Sequence, residues 1–250
     1  MHPAVFEIGL PLVTAHLLGD FVFQPARMAG EKRRISVLLA HALIHGALAY
    51  VLLGGWGRWQ LPIAVFMAHG AIDLVKPRLA KTGPSIFLLD QAAHVMVLAA
   101  LAWWGRAVVP DFWRGHLGRR FDQGLIVASG ATLCIPAAAI IIGYWVQPYL
   151  DEIREARGKE GSQAAAGLRG LSNGGRTIGQ WERALIFLFT GMGQPGAIGF
   201  LIAAKSIFRF GELKDYQNRI EAEYITIGTL MSFGLAAAIS FGTFWLARWW

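Results

Sequence analysis

The chain has 250 residues, of which 55% are hydrophobic and only 16% are charged, and its formal net charge is +7. Soluble domains carry closer to a quarter charged residues, so this composition excludes an ordinary soluble protein. Basic residues of membrane proteins gather in loops, and no basic domain with interleaved aromatic residues is present, so the charge predicts no nucleic-acid partner. A single cysteine, Cys134 in an apolar run, excludes a disulfide framework and a thiolate metal site.

Seven apolar segments of about 20 residues are candidate transmembrane helices. They cover roughly residues 4–24, 36–54, 61–76, 86–104, 124–147, 183–204 and 225–247. The third segment is short and ends in charged residues, and the sixth contains Pro195 among several glycines, so a kink or a break is expected there. The predicted fold class is an all-α polytopic membrane protein, and its expected partner is the lipid bilayer.

The basic residues are distributed unevenly among the first three loops. The first loop holds four (Arg27, Lys32, Arg33, Arg34), the second holds Arg58 alone, and the third holds three (Lys76, Arg78, Lys81). By the positive-inside rule, the odd-numbered loops are expected in the cytoplasm and the N-terminus outside. The expected location is the bacterial inner membrane.

Three regions follow from this helix pattern. Residues 1–104 are expected to form a four-helix bundle, and the basic, aromatic residues 105–123 an interfacial linker. Residues 124–250 are expected to form a three-helix membrane region with a polar loop at 148–180, of which Asp151–Glu160 has a helical charge pattern.

Four pairs of ionisable residues interrupt the first four apolar segments. They are His16 with Asp20, His41 with His45, His69 with Asp73, and Asp90 with His94. The i, i+4 spacing places both members of a pair on one helix face. Two of the pairs lie near the ends of their helices and two near the starts of theirs. All four are therefore expected at one depth, on the side of loops one and three. Two helical hairpins of equal orientation also suggest parallel repeats with a site at their interface.

Five imidazoles and three carboxylates are enough to ligate two metal ions, and these ligand types suit Zn, Mn and Fe. Two ions about 3.5–4 Å apart can activate a water and stabilise both the attacking and the leaving oxygen of a hydrolysis. No catalytic side chain is predicted, because a metal-bound water is the candidate nucleophile. Mutual His–Asp hydrogen bonding between helices is the simpler interpretation of any single pair.

Four further polar residues are weaker candidates for binding an anionic substrate. They are Gln24, Arg27, Lys76 and Gln91. Gln24 and Arg27 would continue the His16/Asp20 face, although Pro25 interrupts the helix before Arg27. Anchoring in a cytoplasmic loop explains the basic residues equally well.

A second polar cluster is a weak candidate site in the C-terminal region. Its members are Glu182, Lys205, Arg209 and Glu223. Glu182 and Lys205 are expected at opposite ends of the sixth helix, where they cannot pair if that helix spans simply. Lys205, Arg209 and Glu223 could instead form an ion-paired cap, and snorkelling to the interface is the simpler interpretation.

Roughly residues 8–104 resemble a bacterial inner-membrane family known only as a domain of unknown function. The resemblance lies in three motifs: His-Leu-Leu-Gly-Asp-Phe from His16, the His41/His45 pair, and Asp-Gln-xx-His from Asp90. The stretches at 179–183, 198–210 and 223–230 are similar to the C-terminal half of longer members. This resemblance implies no activity. The His/Asp pattern is more loosely similar to membrane-bound metal-dependent hydrolases.

The leading hypothesis is a di-metal hydrolase acting on a lipid-like or phosphorylated substrate at the cytoplasmic leaflet. A transporter or channel for divalent cations or protons is the first alternative, because His and Asp chains also serve such paths. A b-type haem protein or a di-iron membrane oxidoreductase is the next alternative.

Overall fold

The computed structural model describes residues 3–75, 83–106, 112–159, 174–210 and 219–250. These residues form eleven α-helices, one π-helical turn and no strand, as the composition predicts. The helices are α1 (Pro3–Phe21), α2 (Ala26–Gly30), α3 (Ile35–Leu53), α4 (Gln60–Val75), α5 (Pro84–Gly105), α6 (Phe112–Leu117), α7 (Arg119–Thr132), α8 (Ala138–Lys159), α9 (Gly174–Gly191), α10 (Gly196–Phe210) and α11 (Arg219–Trp249). The π-helical turn, Leu133–Ala137, joins α7 to α8.

Several helices have the length and composition of membrane spans. Within the described ranges these are Ala4–Phe21, Ile35–Leu53, Pro84–Gly105, Arg119–Glu155 and Ala222–Trp249. The expected third span corresponds to α4, which has only 16 residues and is shorter than a typical span. The polytopic, all-α fold expected from composition is therefore confirmed.

The expected sixth span, 183–204, is interrupted. Helix α9 ends at Gly191, α10 begins at Gly196, and the turn between them uses Gly193 at a φ of 71°. Glycine adopts this left-handed conformation without the penalty that a Cβ would impose. The expected break is confirmed, and it has a consequence for Glu182 and Lys205 described below.

The chain divides into two compact units. The first comprises Met1–Thr132 with Trp245–Trp250, and the second comprises Leu133–Phe244. The expected bundle at 1–104 lies within the first unit. Residues 105–123, expected as a linker, include α6 and the start of α7, and α8 extends to Lys159 in the stretch expected as a polar loop. Residues 160–173 lie outside the described part of the chain.

The core of the first unit is built from α1, α3, α4 and α5. Its buried apolar residues are Val5, Ile8, Leu12, Ala15, Ala49, Leu53, Leu61, Val65, Leu98 and Ala102. Small residues bring the backbones together: a Cβ on Gly46 would lie 3.2 Å from the carbonyl oxygen of Pro62, and one on Gly70 would lie 3.4 Å from Ala42 Cβ. Such close packing drives helix association in lipid, where burial of apolar surface adds little. On α1, this apolar core lies directly N-terminal to His16 and Asp20.

The short helix α6 is fixed to its neighbours by specific hydrogen bonds. The indole Nε1 of Trp113 donates to the carbonyl oxygen of Val51 at 2.7 Å. Arg114 Nη2 donates to Asp122 Oδ1 at 2.6 Å and to the carbonyl oxygen of Glu7 at 2.8 Å. The basic and aromatic residues that predict an interfacial segment therefore also tie α6 to α1, α3 and α7.

A buried arginine organises the second unit. Arg183 on α9 is 3% exposed, and its guanidinium donates to the carbonyl oxygens of Cys134 and Ile135 and to Ser232 Oγ at 3.0 Å each. Pro136 has no backbone N–H, and the π-helical turn around it alters the usual helix hydrogen bonds. The guanidinium of Arg183 hydrogen-bonds two backbone carbonyl groups of this turn, so the buried cation has partners in an otherwise apolar region.

The ion pair between Glu182 and Lys205 overturns one expectation. Lys205 Nζ on α10 donates to Glu182 Oε2 on α9 at 2.6 Å. The two were expected at opposite ends of one helix, but the break at Gly191–Gly196 lets α10 return toward the start of α9. Glu223 lies exposed on α11. Arg209 lies on α10, and its side chain falls outside the described residues, so the proposed cap stays a prediction.

Candidate metal centre

The eight predicted ligands meet at one end of the first unit, beside the apolar core. Helices α1, α3, α4 and α5 each contribute one i, i+4 pair. Three overlapping groups have ligand atoms within 4.8 Å of one another: His16, Asp20, His45 and His69; His41, His69 and Asp73; and Asp73, Asp90 and His94. All eight lie in at least one group, as the common depth predicted from sequence requires.

One of these groups is a triangle formed by His41, His69 and Asp73. The Nε2 atoms of His41 and His69 are 3.1 Å apart, and each lies 3.4 Å from Asp73 Oδ2. Metal–ligand bonds of about 2.0–2.1 Å place neighbouring ligand atoms of a tetrahedral ion roughly 3.3–3.4 Å apart. The three atoms therefore have the separations of one face of such a coordination sphere. Two imidazole nitrogens this close either share one proton or direct two lone pairs at a common cation.

Asp20 connects this triangle with the other histidines. Its Oδ1 lies 3.1 Å from His41 Nε2, 3.2 Å from His45 Nε2 and 3.6 Å from His69 Nε2. Its Oδ2 lies 3.8 Å from His16 Nε2. A carboxylate whose two oxygens face different histidines has the geometry of a bridging ligand.

Several imidazole nitrogens of the cluster have no hydrogen-bond partner among the described residues. The unpartnered atoms are His16 Nδ1, His45 Nδ1, His45 Nε2 and His94 Nε2. Although His45 Nε2 lies close to Asp20 Oδ1, the two do not have hydrogen-bond geometry. Each of these three side chains is at most 2% exposed. Leaving a buried polar atom unsatisfied costs about 1–3 kcal/mol, so several together call for a ligand.

A hydrogen bond fixes the tautomer of His94. Its Nδ1 lies 2.8 Å from the backbone carbonyl oxygen of Asp90, one turn earlier on α5. A carbonyl oxygen only accepts, so Nδ1 carries the proton, and Nε2 presents a lone pair to the cluster. Metal-ligating histidines are commonly oriented in this way, with the second ring nitrogen donating to a carbonyl or carboxylate.

Lys32 belongs to the cluster but was not among the residues predicted from sequence. It lies in the turn after α2, and its Nζ donates to Asp73 Oδ2 at 2.7 Å. Its side chain is 11% exposed, whereas that of Asp73 is 1% exposed. No helical periodicity marks a loop lysine, and the positive-inside pattern explains its presence in that loop equally well.

The predicted substrate-binding residues fall into two groups. Gln24 Nε2 lies 2.8 Å from His41 Nε2, and Gln91 Nε2 donates to Asp20 Oδ2 at 3.2 Å and to Asp90 Oδ2 at 3.3 Å. Both glutamines therefore contact candidate metal ligands. Arg27 does not continue the His16/Asp20 face, because α1 ends at Phe21; its side chain is 86% exposed and pairs with Glu31. Lys76 lies outside the described residues.

The cluster contains three carboxylates, those of Asp20, Asp73 and Asp90, and Lys32 pairs with Asp73. A carboxylate buried in an apolar surrounding needs hydrogen bonds or a compensating charge, and a bound divalent cation would supply such a charge.

Gly19 explains how α3 approaches α1 at this point. A Cβ at Gly19 would lie 2.5 Å from Nε2 and 2.7 Å from Nδ1 of His45. The imidazole therefore packs directly on the α1 backbone, in space that any other residue would fill. The sequence His-Leu-Leu-Gly-Asp thus contains two candidate ligands, His16 and Asp20, and the glycine that makes room for a third, His45.

Comparison with known proteins bears on the first unit alone. A search of curated proteins and a search of solved structures found no match for this chain. The looser resemblance to metal-dependent hydrolases therefore stays a prediction. Residues 8–112 match a family model, described as "Protein of unknown function (DUF3307)", and this range contains all eight candidate ligands. The region that carries the candidate metal centre is thus similar to this uncharacterised family, as its motifs indicate.

Proposed function

We propose that the four-helix bundle binds two divalent metal ions, of Zn, Mn or Fe, and hydrolyses a lipid-like or phosphorylated substrate. We further propose that the chain resides in a bacterial inner membrane, with its N-terminus outside and the metal centre toward the cytoplasm. The unequal distribution of basic residues between its first three loops supports this orientation.

The triangle of His41, His69 and Asp73 is the observation that carries the proposal. Its edges of 3.1–3.4 Å match one metal coordination sphere. The unpartnered nitrogens of His16 and His45, which share a ligand group with Asp20, supply donors for a second ion. If His–Asp hydrogen bonds alone held the helices together, most of the buried imidazole nitrogens would take part in those bonds. Few nitrogens would then be left without a partner.

Hydrolysis is the reaction that suits this donor set best. Metal ions held here would activate a water and stabilise the negative charge that develops on the substrate. Gln91 holds Asp20 and Asp90 in position through its amide group, and the backbone carbonyl of Asp90 orients His94. Lys32, whose side chain is 11% exposed, supplies a positive charge beside Asp73 that an anionic substrate could contact.

Elemental analysis of the detergent-purified protein tests the metal centre directly. We expect about two equivalents of Zn, Mn or Fe per chain, and loss of metal in a His41→Ala/Asp73→Ala variant. His116→Ala is the matched control, since His116 is an exposed histidine on α6, outside all three ligand groups. Absence of metal from the native protein, or equal metal in both variants, would contradict the proposal.

The reaction is tested on the metal-loaded protein in lipid vesicles, with a chromogenic alkyl phosphate and a chromogenic alkyl ester as probes. We expect turnover of at least one probe, abolished by Asp73→Asn and retained in His116→Ala. If the metal were bound but neither probe turned over, while divalent cations crossed the vesicle membrane, the protein would be a transporter. That outcome would replace hydrolysis and leave the metal centre intact.

A further inference from the structure

A small cavity lies between α4 and α5, directly against the metal centre. At one end it is lined by the imidazoles of His16, His45, His69 and His94. The rest of its lining is apolar and consists of Val65, Ala68, Ile72, Val97, Leu98 and Leu101. Its volume of about 10 Å³ admits roughly one water-sized group.

The unpartnered nitrogens of the cluster belong to the histidines that line this cavity. Among the described residues, His45 has no hydrogen-bond partner at either nitrogen, His94 has none at Nε2 and His16 has none at Nδ1. All three side chains are at most 2% exposed. Apolar walls offer these atoms no hydrogen bond. The cavity therefore has donors for a ligand at one end and hydrocarbon along its sides.

The opposite side of the cluster is occupied by polar side chains. Lys32 hydrogen-bonds Asp73, Gln24 contacts His41, and Gln91 bridges Asp20 and Asp90. A ligand from the aqueous side would have to displace one of these contacts. On the cavity side, the described part of the chain makes no hydrogen bond to the unpartnered nitrogens, so none has to be broken there.

The outer wall of the cavity lies near the surface of the bundle. Ala68, Ile72, Val97 and Leu101 are half-buried, and the neighbouring Met67 and Met96 are 62% and 66% exposed. Long apolar side chains on the outside of a span face lipid. The short path between α4 and α5 thus leads from the imidazoles to the hydrocarbon region of the bilayer.

We propose that this cavity is the route by which the polar head of a lipid-like substrate reaches the metal centre from within the bilayer, its hydrocarbon chain remaining between α4 and α5. The inference rests on the proposed function and narrows its substrate class to lipid-like molecules, against water-soluble phosphorylated ones. The cavity admits about one water-sized group, so the half-buried side chains of its outer wall must move apart to admit a larger head, while the hydrocarbon chain stays between α4 and α5.

Two thiols with the same donor atom test the route on the cobalt-loaded protein in nanodiscs. Hexanethiol partitions into the bilayer, whereas 2-mercaptoethanesulfonate stays in water, and binding of either sulfur to cobalt produces a thiolate-to-metal charge-transfer band. We expect hexanethiol to produce this band at a concentration at least about tenfold lower, equivalent to 1.4 kcal/mol.

Cavity-filling substitutions complete the test. Ala68→Phe on α4 and Val97→Phe on α5 should each abolish the hexanethiol response and leave the cobalt absorption of the site unchanged. Met67→Phe and Met96→Phe add the same ring one position away, on the exposed surface, and should retain the response. The cobalt spectrum shows whether each variant still has an intact site.

The outcomes separate the two proposals. If the protein bound no cobalt, the metal centre itself would be refuted. If cobalt bound normally and the sulfonated thiol responded as well as hexanethiol, or Ala68→Phe and Val97→Phe both retained the hexanethiol response, the membrane route would be refuted and the metal centre would stand.

Discussion

Substitution of Gly19 by alanine should disrupt the metal centre without removing any ligand. The added Cβ would lie 2.7 Å from Nδ1 of His45 and closer still to two other ring atoms. Ordinary contacts between such atoms are about 3.5–4.0 Å long, so the imidazole or the α1 backbone must move by roughly 1 Å. Metal–ligand distances tolerate about 0.2 Å, which makes this displacement several times too large for His45 to remain a ligand.

The expected magnitude follows from two known effects. Overpacking of a close contact costs about 1–3 kcal/mol, and displacement of groups that orient metal ligands typically costs about 10–100-fold in metal affinity. We expect Gly19→Ala to lower metal affinity by this factor, measured by competition with a chromophoric chelator in detergent. The ligand types and the charge of the cluster are unchanged, so the loss would report geometry alone.

Gly9→Ala is the matched control on the same helix. A Cβ at Gly9 would meet Ala102 Cβ at 3.6 Å, an ordinary contact in the apolar core away from the ligands. Both substitutions change the helix propensity of α1 equally, so the difference between them isolates the contact with His45. Equal metal affinity in the two variants would refute the assignment of His45 to the metal centre.

Two other substitutions test ion pairs that only the structure shows. Lys32→Gln should raise divalent-metal affinity by about tenfold, because Lys32 Nζ no longer competes for Asp73 Oδ2. Arg33→Gln, which changes an exposed neighbouring residue, should have no effect on metal affinity. Weaker metal binding in Lys32→Gln would show that the ammonium group assists metal binding. Lys205→Met should lower the free energy of unfolding by about 1–3 kcal/mol, because the ion pair with Glu182 is mostly buried. Adding Glu182→Gln should recover part of that loss in thermal unfolding; a larger combined loss would show that the two side chains act independently.

The candidate ligands could be identified from sequence because helical periodicity is local. An i, i+4 spacing places His16 beside Asp20 on any α-helix, and the positions of the pairs within their apolar segments indicated a shared depth. The break near Pro195 was also evident, because glycine and proline act on the backbone where they occur. These features needed no knowledge of which helices are neighbours.

Contacts between elements could not be predicted in this way. Lys32 reaches Asp73 across 41 positions and Gln91 reaches Asp20 across 71, and neither spacing carries a periodic signal. Arg27 was assigned to the α1 face on the assumption of a longer helix, and Glu182 was separated from Lys205 on the assumption of an unbroken one. Each error arose because the path of the chain between two elements decides which side chains meet.

The sequence by itself determined the class of fold and the chemistry available in the bundle. Apolar segment length and the scarcity of charge require membrane helices, and paired His and Asp residues within them require a polar interior. Only the tertiary structure decided that polar side chains contact one side of this cluster, while the histidines with unpartnered nitrogens line an apolar cavity. That asymmetry depends on how α1, α3, α4 and α5 pack together, and van der Waals fit at residues such as Gly19 and Gly46 sets that packing.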